Sequence, residues 1–175
     1  MRLCIPSLAL ARRCGGIYTI YLMFNIVLVA PEIPQNSGNI GRLCVNTGSR
    51  LHLVEPLGFS LDEPQRRRAG LDYWQHLDVR VHADWPALLR DCRPERMLFL
   101  STKGQRSVYD VQFDTGDYLV FGNETSGLPS DFYVRYVGSL YTIPMPGEHA
   151  RSLNLANAVA VVLFEALRQV GVGDV

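Results

Sequence analysis

The stretch that decides the fold is residues 140–170, LYTIPMPGEHARSLNLANAVAVVLFEALRQV. It predicts a short strand at Leu140–Ile143, a polar loop, and a helix at Asn154–Val170. Gly171 follows the helix as its C-terminal cap. Because the helix is apolar on most of its circumference, two of its sides must be covered. In a domain this small the sheet covers one side, and the other side is available to a partner subunit.

Upstream of this stretch, short apolar segments alternate with helical patterns. Each predicted strand is rich in β-branched or aromatic residues, as buried parallel strands usually are. The predicted strands are Ile26–Ala30, Leu51–Val54, Val79–His82, Met97–Ser101 and Tyr118–Gly122. The predicted helices are Gly38–Thr47, Pro64–Ala69, Trp85–Asp91 (with Asp84 as its N-cap) and Gly127–Tyr133. This alternation predicts an α/β fold with a mostly parallel sheet.

The composition fits one packed globular domain. The chain has 175 residues, of which 47% are apolar and 19% are charged, so it accommodates one domain and a short appendage. Its 17 basic and 17 acidic residues cancel. No protein-wide field therefore attracts a polyanion, and a nucleic acid must be held by a local patch.

The cysteines and histidines predict neither a disulfide framework nor a metal site. The cysteines lack paired spacing, which favours free thiols in a reducing compartment, and no Cys/His pair has the spacing of zinc ligands. The residues concerned are Cys4, Cys14, Cys44 and Cys92, with His52, His76, His82 and His149. We therefore expect no metal.

The first 22 residues have the pattern of an N-terminal extension outside the fold. Arg12 and Arg13 interrupt the apolar stretch that a secretory signal would need. A translated leader upstream of a start at Met23 explains Met1–Leu22 better, and the domain is then residues 23–175. Since no stretch approaches the roughly 20 apolar residues that span a bilayer, we expect a cytoplasmic protein without membrane contact.

Three loops that follow strands carry unusual chemistry, and the first is residues 31–42, PEIPQNSGNIGR. In an open α/β sheet, ligands bind beyond the carboxyl ends of the strands. Asn36 and Asn39 offer amide donors and acceptors, and Arg42 offers a planar fork for phosphate or ribose oxygens. The alternative is that Asn39 only caps the helix while Arg42 is a solvated surface residue.

The second loop is residues 121–129, FGNETSGLP, directly after a strand. Gly122 allows a ligand to approach the backbone closely, and Glu124 can accept hydrogen bonds from hydroxyl or amine groups. The alternative is a tight turn with Thr125 or Ser126 as a helix cap.

The third loop, within residues 143–157, leads into the apolar helix. Ser152 and Asn154 are candidate site residues because the helix does not need them for solubility. The alternative is that one of them is only the N-cap. Met145 is expected to be structural and His149 incidental, because neither has a partner that would mark a nucleophilic triad.

The order of these three motifs is more specific than any one of them. Together they closely resemble the motifs of the SPOUT superfamily of RNA methyltransferases, over essentially all of residues 23–170. The motifs are PQNSGNIGR at 34–42, FGNETSGLP at 121–129, and IPM at 143–145 followed by SLNLANAVAVVLFE at 152–165. Two departures are Gly41, which stands between Ile40 and Arg42, and the leader before Met23.

The short single-domain form resembles the TrmL type within this superfamily. Its marks here are RRAGLDY at 67–73 and TKG at 102–104. The resemblance implies methylation of the ribose 2'-hydroxyl of the wobble nucleotide, cytidine or uridine 34, in leucine tRNAs. Its rivals are a superfamily member with another tRNA or rRNA target and a catalytically inactive RNA-binding homologue.

The resemblance also implies a structure and a cofactor. It implies an α/β fold with helices on both faces of a mostly parallel sheet and a deep C-terminal trefoil knot, a topology otherwise nearly absent from proteins. It implies a homodimer that binds S-adenosylmethionine in the knot. The implied cofactor contacts are Leu100, Gly122, Ile143, Ser152 and Leu153, with Ser101 to Lys103 nearby. The implied substrate contacts are Asn36, Asn39, Arg42, Lys103, Glu124, Arg151 and Asn154.

Arg42 is the catalytic residue that the resemblance implies. Because an arginine side chain stays protonated in proteins, we interpret Arg42 as a cation that activates the hydroxyl and binds a phosphate. The proton then leaves to a phosphate oxygen, to Glu124 or to water.

RNA binding has to come from local basic residues. The candidates are Arg66, Arg67 and Arg68 in a run, with Lys103, Arg106 and Arg151. A solvated surface is the alternative for the arginine run. Tyr73, Trp74 and Tyr109 are candidate stacking platforms for the unstacked bases of an anticodon loop, although core burial is the simpler expectation for each.

Overall fold

The structure, a computed structural model, describes residues 24–60 and 72–171. Seven strands form one sheet in the order β3-β2-β1-β6-β4-β7-β5, and every pairing is parallel. The strands are β1 Asn25–Val29, β2 Arg50–Val54, β3 Val79–His82, β4 Met97–Leu100, β5 Arg106–Ser107, β6 Tyr118–Phe121 and β7 Leu140–Thr142. The helices are α1 Pro34–Thr47, α2 Trp85–Cys92, α3 Phe132–Arg135 and α4 Leu155–Gln169. The predicted parallel α/β fold is confirmed.

Helices cover both faces of the sheet, because alternate residues of the central strands point in opposite directions. On one face Ile26 and Leu28 pack in a core shared with α1 and α4. On the other face Val27 and Val29 pack in a core shared with α2 and α3. All five residues of β1 are buried, as expected for a central strand covered on both sides.

The predicted elements match the observed ones with shifts at their ends. Asp84 caps α2 as predicted, since its Oδ1 accepts a hydrogen bond from Ala87 N at 2.6 Å. Helix α1 begins at Pro34 and not at Gly38, because proline at the first helical position is compatible with a helix start. The prediction of a helix at Gly127–Tyr133 is wrong, because residues from Gly127 form a turn and the observed helix, α3, begins at Phe132. Strand β5 was not predicted, because two residues carry no periodic signal.

Helix α4 is covered on one side by the described part of the chain. Ala156, Val159 and Leu163 are among the residues buried against α1 and the sheet. Val161 is 36% exposed and Phe164 is 54% exposed. Residues 24–60 and 72–171 therefore leave the second apolar side of the helix exposed.

The last strand lies beneath the connection between its two neighbours. Strand β7 is inserted between β4 and β5, which are consecutive in the chain and joined by residues 101–105. That connection passes directly over β7: a Cβ atom on Gly104 would lie 2.5 Å from the carbonyl carbon of Tyr141. Such a crossing of chain over chain is what the expected C-terminal knot requires.

Several predictions lie outside the described residues. They are the extension at 1–22, the start at Met23, the helix at Pro64–Ala69, the run Arg66–Arg68 and most of the segment at 67–73. Among the residues that are described, no helix combines the length and apolar content needed to cross a bilayer.

Candidate active site

A cavity of about 560 Å³ lies at the carboxyl ends of β4, β6 and β7, where ligands bind in open α/β sheets. The three loops singled out in the sequence all contribute to its wall. All five predicted cofactor contacts line it: Leu100, Gly122, Ile143, Ser152 and Leu153. Four of the predicted substrate contacts line it too: Asn36, Lys103, Glu124 and Asn154. Its size is that of a small-molecule site.

The second loop forms a tight turn held by one asparagine. The Oδ1 of Asn123 accepts hydrogen bonds from Ser126 N at 2.7 Å and Gly127 N at 3.1 Å. The turn is so close that a Cβ atom on Gly122 would lie 2.0 Å from the carbonyl carbon of Gly127. The alternative of a tight turn is therefore correct, but neither Thr125 nor Ser126 caps a helix, because α3 starts later.

Glu124 binds the start of helix α1. Its two carboxylate oxygens accept hydrogen bonds from Glu32 N at 2.9 Å, Ile33 N at 3.3 Å and Asn36 Nδ2 at 2.9 Å. The N-cap residue of α1, Ile33, has no side-chain acceptor of its own. Glu124 supplies the missing acceptor from another loop, where the helix dipole favours a negative charge.

Asn36 connects this carboxylate to the third loop. Its Oδ1 accepts a hydrogen bond from Asn154 Nδ2 at 2.9 Å. Asn154 is also the N-cap of α4, with its Oδ1 accepting from Ala156 N at 2.9 Å. The N-cap alternative is therefore correct for Asn154, which lines the cavity at the same time. One chain of hydrogen bonds thus joins all three motif loops.

Lys103 is held over an aromatic ring at the mouth of the cavity. Its Nζ lies 4.9 Å from the ring centroid of Tyr133, and the Tyr133 hydroxyl is 3.0 Å from Ser101 Oγ. Among the described residues that line the cavity, Lys103 is the one cation and Glu124 the one carboxylate.

Three predicted site residues lie outside the cavity of their own chain. Asn39, Arg42 and Arg151 are exposed and do not line it. Asn39 is inside helix α1 and is not its cap, so that alternative is wrong. Arg42 is just over two turns into the helix, on its outer surface. The sequence correctly places Arg42 in helix α1. It does not show that Arg42 lies away from the cavity formed by its own chain.

Some lining residues were missed or interpreted differently. Tyr133 lies in no motif, and only the packing of α3 beside β4 brings it to the cavity. Met145, expected to be structural, lines the wall, whereas His149 is exposed. Of the candidate stacking residues, Trp74 is buried as expected, but Tyr109 is 52% exposed, so its expected core burial is wrong.

The comparisons with known proteins agree with this geometry. Residues 23–164 match the SpoU rRNA Methylase family. A tRNA (cytidine(34)-2'-O)-methyltransferase from Burkholderia ambifaria is 54% identical over 153 residues, which cover 85% of this chain and 97% of the relative.

Two solved structures are similar as well. One, from work on the 2-OH methylation of C/U34 on tRNA, has a TM-score of 0.79 and 47% identity, and covers 85% of this chain and 97% of its own. The other is the SpoU methyltransferase AviRb from Streptomyces viridochromogenes in complex with AdoMet, with a TM-score of 0.69 and 26% identity, covering 83% of this chain and 57% of its own. The resemblance inferred from the three motifs is confirmed, and this chain belongs to the SpoU methylase family of methyltransferases.

Proposed function

We propose that the protein transfers a methyl group from S-adenosylmethionine to the ribose 2'-hydroxyl of nucleotide 34, cytidine or modified uridine, in leucine tRNAs. The observation that carries this proposal is the convergence of all three motif loops on one cavity in a chain 54% identical to a tRNA (cytidine(34)-2'-O)-methyltransferase. The narrower choice of leucine tRNAs rests on the resemblance to the TrmL type. The cytoplasm, where tRNA is processed in bacteria, is the expected compartment.

The lining of the cavity suits S-adenosylmethionine. Leu100, Ile143 and Leu155 offer apolar contacts for an adenine ring, and the loops offer backbone hydrogen-bonding groups. The only lining cation among the described residues, Lys103, is engaged with Tyr133, so no cation is pressed against a sulfonium. When bound, S-adenosylmethionine supplies an electrophilic methyl group.

The residues of the chain supply position and charge. Alignment of the hydroxyl oxygen about 3–3.5 Å from the methyl carbon contributes several kcal/mol of the barrier reduction. Arg42 stabilises the developing oxyanion and binds a phosphate through its planar fork. Since three donors already occupy the oxygens of Glu124, a phosphate oxygen or water is the better proton acceptor. Glu124 then has the separate task of holding α1 against the cavity.

A homodimer completes the site in this proposal. Val161 and Phe164 form an exposed apolar stripe on α4, with Val161 36% and Phe164 54% exposed. Residues at this spacing lie on one side of a helix. A second copy that covers this stripe also brings its own Arg42 to the cavity of the first, which explains why Arg42 does not line the cavity of its own chain.

The tRNA is bound by local charge beside the cavity. Lys103, Arg106 and Arg135 are exposed on the loops and elements that surround it, and Arg151 lies on the third loop. The exposed ring of Tyr109 is available for base stacking. Because each phosphate contact releases counterions, affinity should fall with salt with a slope of about −0.7 per phosphate on a single strand.

The test is methyl transfer from labelled S-adenosylmethionine to total tRNA and to ribosomal RNA, followed by nucleoside mapping. We expect label in 2'-O-methylated nucleotide 34 of leucine tRNAs. A matched transcript with 2'-deoxyribose at position 34 should accept no label. Label at another ribose supports the rival of a different RNA target. Cofactor binding without any transfer supports the inactive RNA-binding homologue.

A further inference from the structure

A second polar cluster lies at the opposite edge of the sheet, away from the cavity. His52 in β2, His82 at the end of β3 and Cys92 at the end of α2 each offer one ligand atom, and these atoms lie within 4.8 Å of one another. Both imidazoles are buried, with His52 at 0% exposure. None of the three residues lines the candidate active site. The cluster needs its own explanation.

The spacing of the ligand atoms is close to that of a tetrahedral zinc site. His52 Nδ1 is 3.0 Å from His82 Nε2, and Cys92 Sγ is 3.8 Å from His52 Nδ1. With zinc–nitrogen bonds of about 2.0–2.1 Å and zinc–sulfur bonds of about 2.3 Å, tetrahedral angles separate two nitrogens by about 3.4 Å and a sulfur from a nitrogen by about 3.6 Å. These two separations would change by a few tenths of an ångström, and the third, between Cys92 Sγ and the His82 ligand nitrogen, is at most 4.8 Å before a metal draws the atoms together.

The hydrogen-bond partners of His52 outside the cluster orient its ring as a metal ligand. His52 Nε2 is 3.2 Å from Asn25 Oδ1, and Asn25 Nδ2 donates to Gly116 O at 3.0 Å. The amide is therefore fixed with its oxygen toward the ring, so Nε2 carries the hydrogen and Nδ1 presents its lone pair to the cluster. Metal-bound histidines almost always donate their other ring N–H in this way.

The second imidazole has a corresponding partner. His82 Nδ1 lies 4.0 Å from the Asp91 carboxylate. If Nε2 binds a metal, Nδ1 carries the hydrogen and faces that carboxylate favourably. Without a metal, Nε2 must donate to His52, and the lone pair of Nδ1 faces the negative charge instead.

We propose that His52 Nδ1, His82 Nε2 and Cys92 Sγ form a binding site for a divalent transition metal of the zinc class, with a water molecule in the fourth position. Cys92 is half-buried, so the metal enters from its side. The thiol proton leaves on binding. The site departs from the expectation of no metal because tertiary packing of β2, β3 and α2, and not spacing along the chain, brings its residues together.

The test is titration of the reduced, metal-free full chain with Co²⁺, in a Cys4→Ser/Cys14→Ser background that removes the thiols of the N-terminal region. We expect one Co²⁺ per chain, with a thiolate-to-cobalt charge-transfer band and the intense visible bands of tetrahedral cobalt. Zn²⁺ should displace it, because zinc binds such sites more tightly. In the same background, Cys92→Ser should abolish the charge-transfer band, and His82→Gln should weaken Co²⁺ binding at least tenfold.

The matched control is Cys44→Ala in that background. Burial raises the pKa of the Cys44 thiol to about 12, so its removal should leave the cobalt spectrum unchanged. Circular dichroism confirms that each variant is folded. Absence of the band in folded parent protein, or its persistence in Cys92→Ser, would overturn the proposal and leave the two histidines as a hydrogen-bonded pair. Methyl transfer plays no part in this readout.

Discussion

At the scale of single residues, the amide of Asn36 ties together loops that are far apart in the chain. It donates to Glu124 and accepts from Asn154, and its side chain is buried. Removal of a buried partner costs about 1–3 kcal/mol, because the groups left behind lose their hydrogen bonds without gaining water.

Asn36→Ala should therefore lower the free energy of unfolding by about 1–3 kcal/mol and weaken cofactor binding. Urea unfolding and calorimetry measure the two effects. Asn46→Ala is the matched control, because Asn46 is exposed on the same helix and the change in helix propensity is the same. Equal stabilities of the two variants would contradict the bridging role of Asn36.

Arg42→Lys should lower kcat for methyl transfer by about 100-fold, the cost typical of a lost oxyanion donor. The lysine keeps the charge but loses the planar fork. Since the proposed contacts of Arg42 are the hydroxyl and a phosphate of the RNA and not the cofactor, affinity for S-adenosylmethionine should be unchanged. Arg90→Lys, on the exposed surface of α2, is the control. Near-normal turnover of Arg42→Lys would contradict the role assigned to the guanidinium.

Acidification should destabilise the metal-free protein through His52. Burial, together with the nearby His82, Arg50 and Arg80, lowers the folded-state pKa of His52 to about 2, below its unfolded value of about 6.5. The stability that the neutral ring contributes is complete above pH 6.5 and is lost as the pH falls. From pH 7 to pH 5 the free energy of unfolding should drop by about 2 kcal/mol for His52 alone. His82, whose pKa burial also lowers, adds to this loss.

Urea unfolding in the presence of a chelator measures this loss. His76→Gln is the control, because it removes a histidine that is exposed and lies outside the buried pair. If the free energy of unfolding does not change between pH 7 and pH 5, the prediction is contradicted, because the buried His52 ring would then be protonated without loss of stability.

At the scale of elements, the connection over β7 is a close contact of backbone on backbone. Gly104→Ala would place a methyl group 2.5 Å from the Tyr141 carbonyl carbon and 2.6 Å from its oxygen, and backbone cannot move aside as a flexible side chain can. We expect a loss of about 1–3 kcal/mol in the free energy of unfolding and weaker cofactor binding. Gly138→Ala is the matched control, because nothing lies within 4 Å of its added methyl.

Sequence patterns predict the central elements well, because β1, β2, β4 and β6 are runs of four or five mostly apolar residues, a length and composition typical of buried strands. The start of α1 could not be placed by the same reasoning. Its residues before Gly38 are polar, and the acceptor that stabilises its N-terminus is Glu124, about 90 residues away in the chain. Likewise Tyr133 and the His52–His82–Cys92 cluster depend on tertiary packing. The motif residues at the cavity were predictable because each directly follows a strand.

At the scale of the whole molecule, the apolar stripe on α4 should decide whether the enzyme is active. Phe164→Asp places a charge on this stripe, so light scattering should show a monomer in place of the proposed dimer. Methyl transfer should fall with it, while the monomer remains folded because Phe164 is exposed.

Val134→Asp is the matched control for this variant. Val134 is 82% exposed on α3 and lies off the stripe, so its change should leave both dimer and activity intact. A Phe164→Asp protein that stays dimeric would show that a different surface joins the subunits.

The place of β7 in the sheet also constrains how the protein is made. On the ribosome, β4 and β5 emerge before the strand that must lie between them. Until residues 140–142 arrive, that gap is open, and the nascent sheet exposes unpaired backbone there. Completion of the sheet and closure of the cavity wall therefore both wait for residues that are synthesised late, β7 and the loop that follows it. A chain that ends before this strand lacks Thr142, Ile143 and the third loop, and so lacks one wall of the cavity.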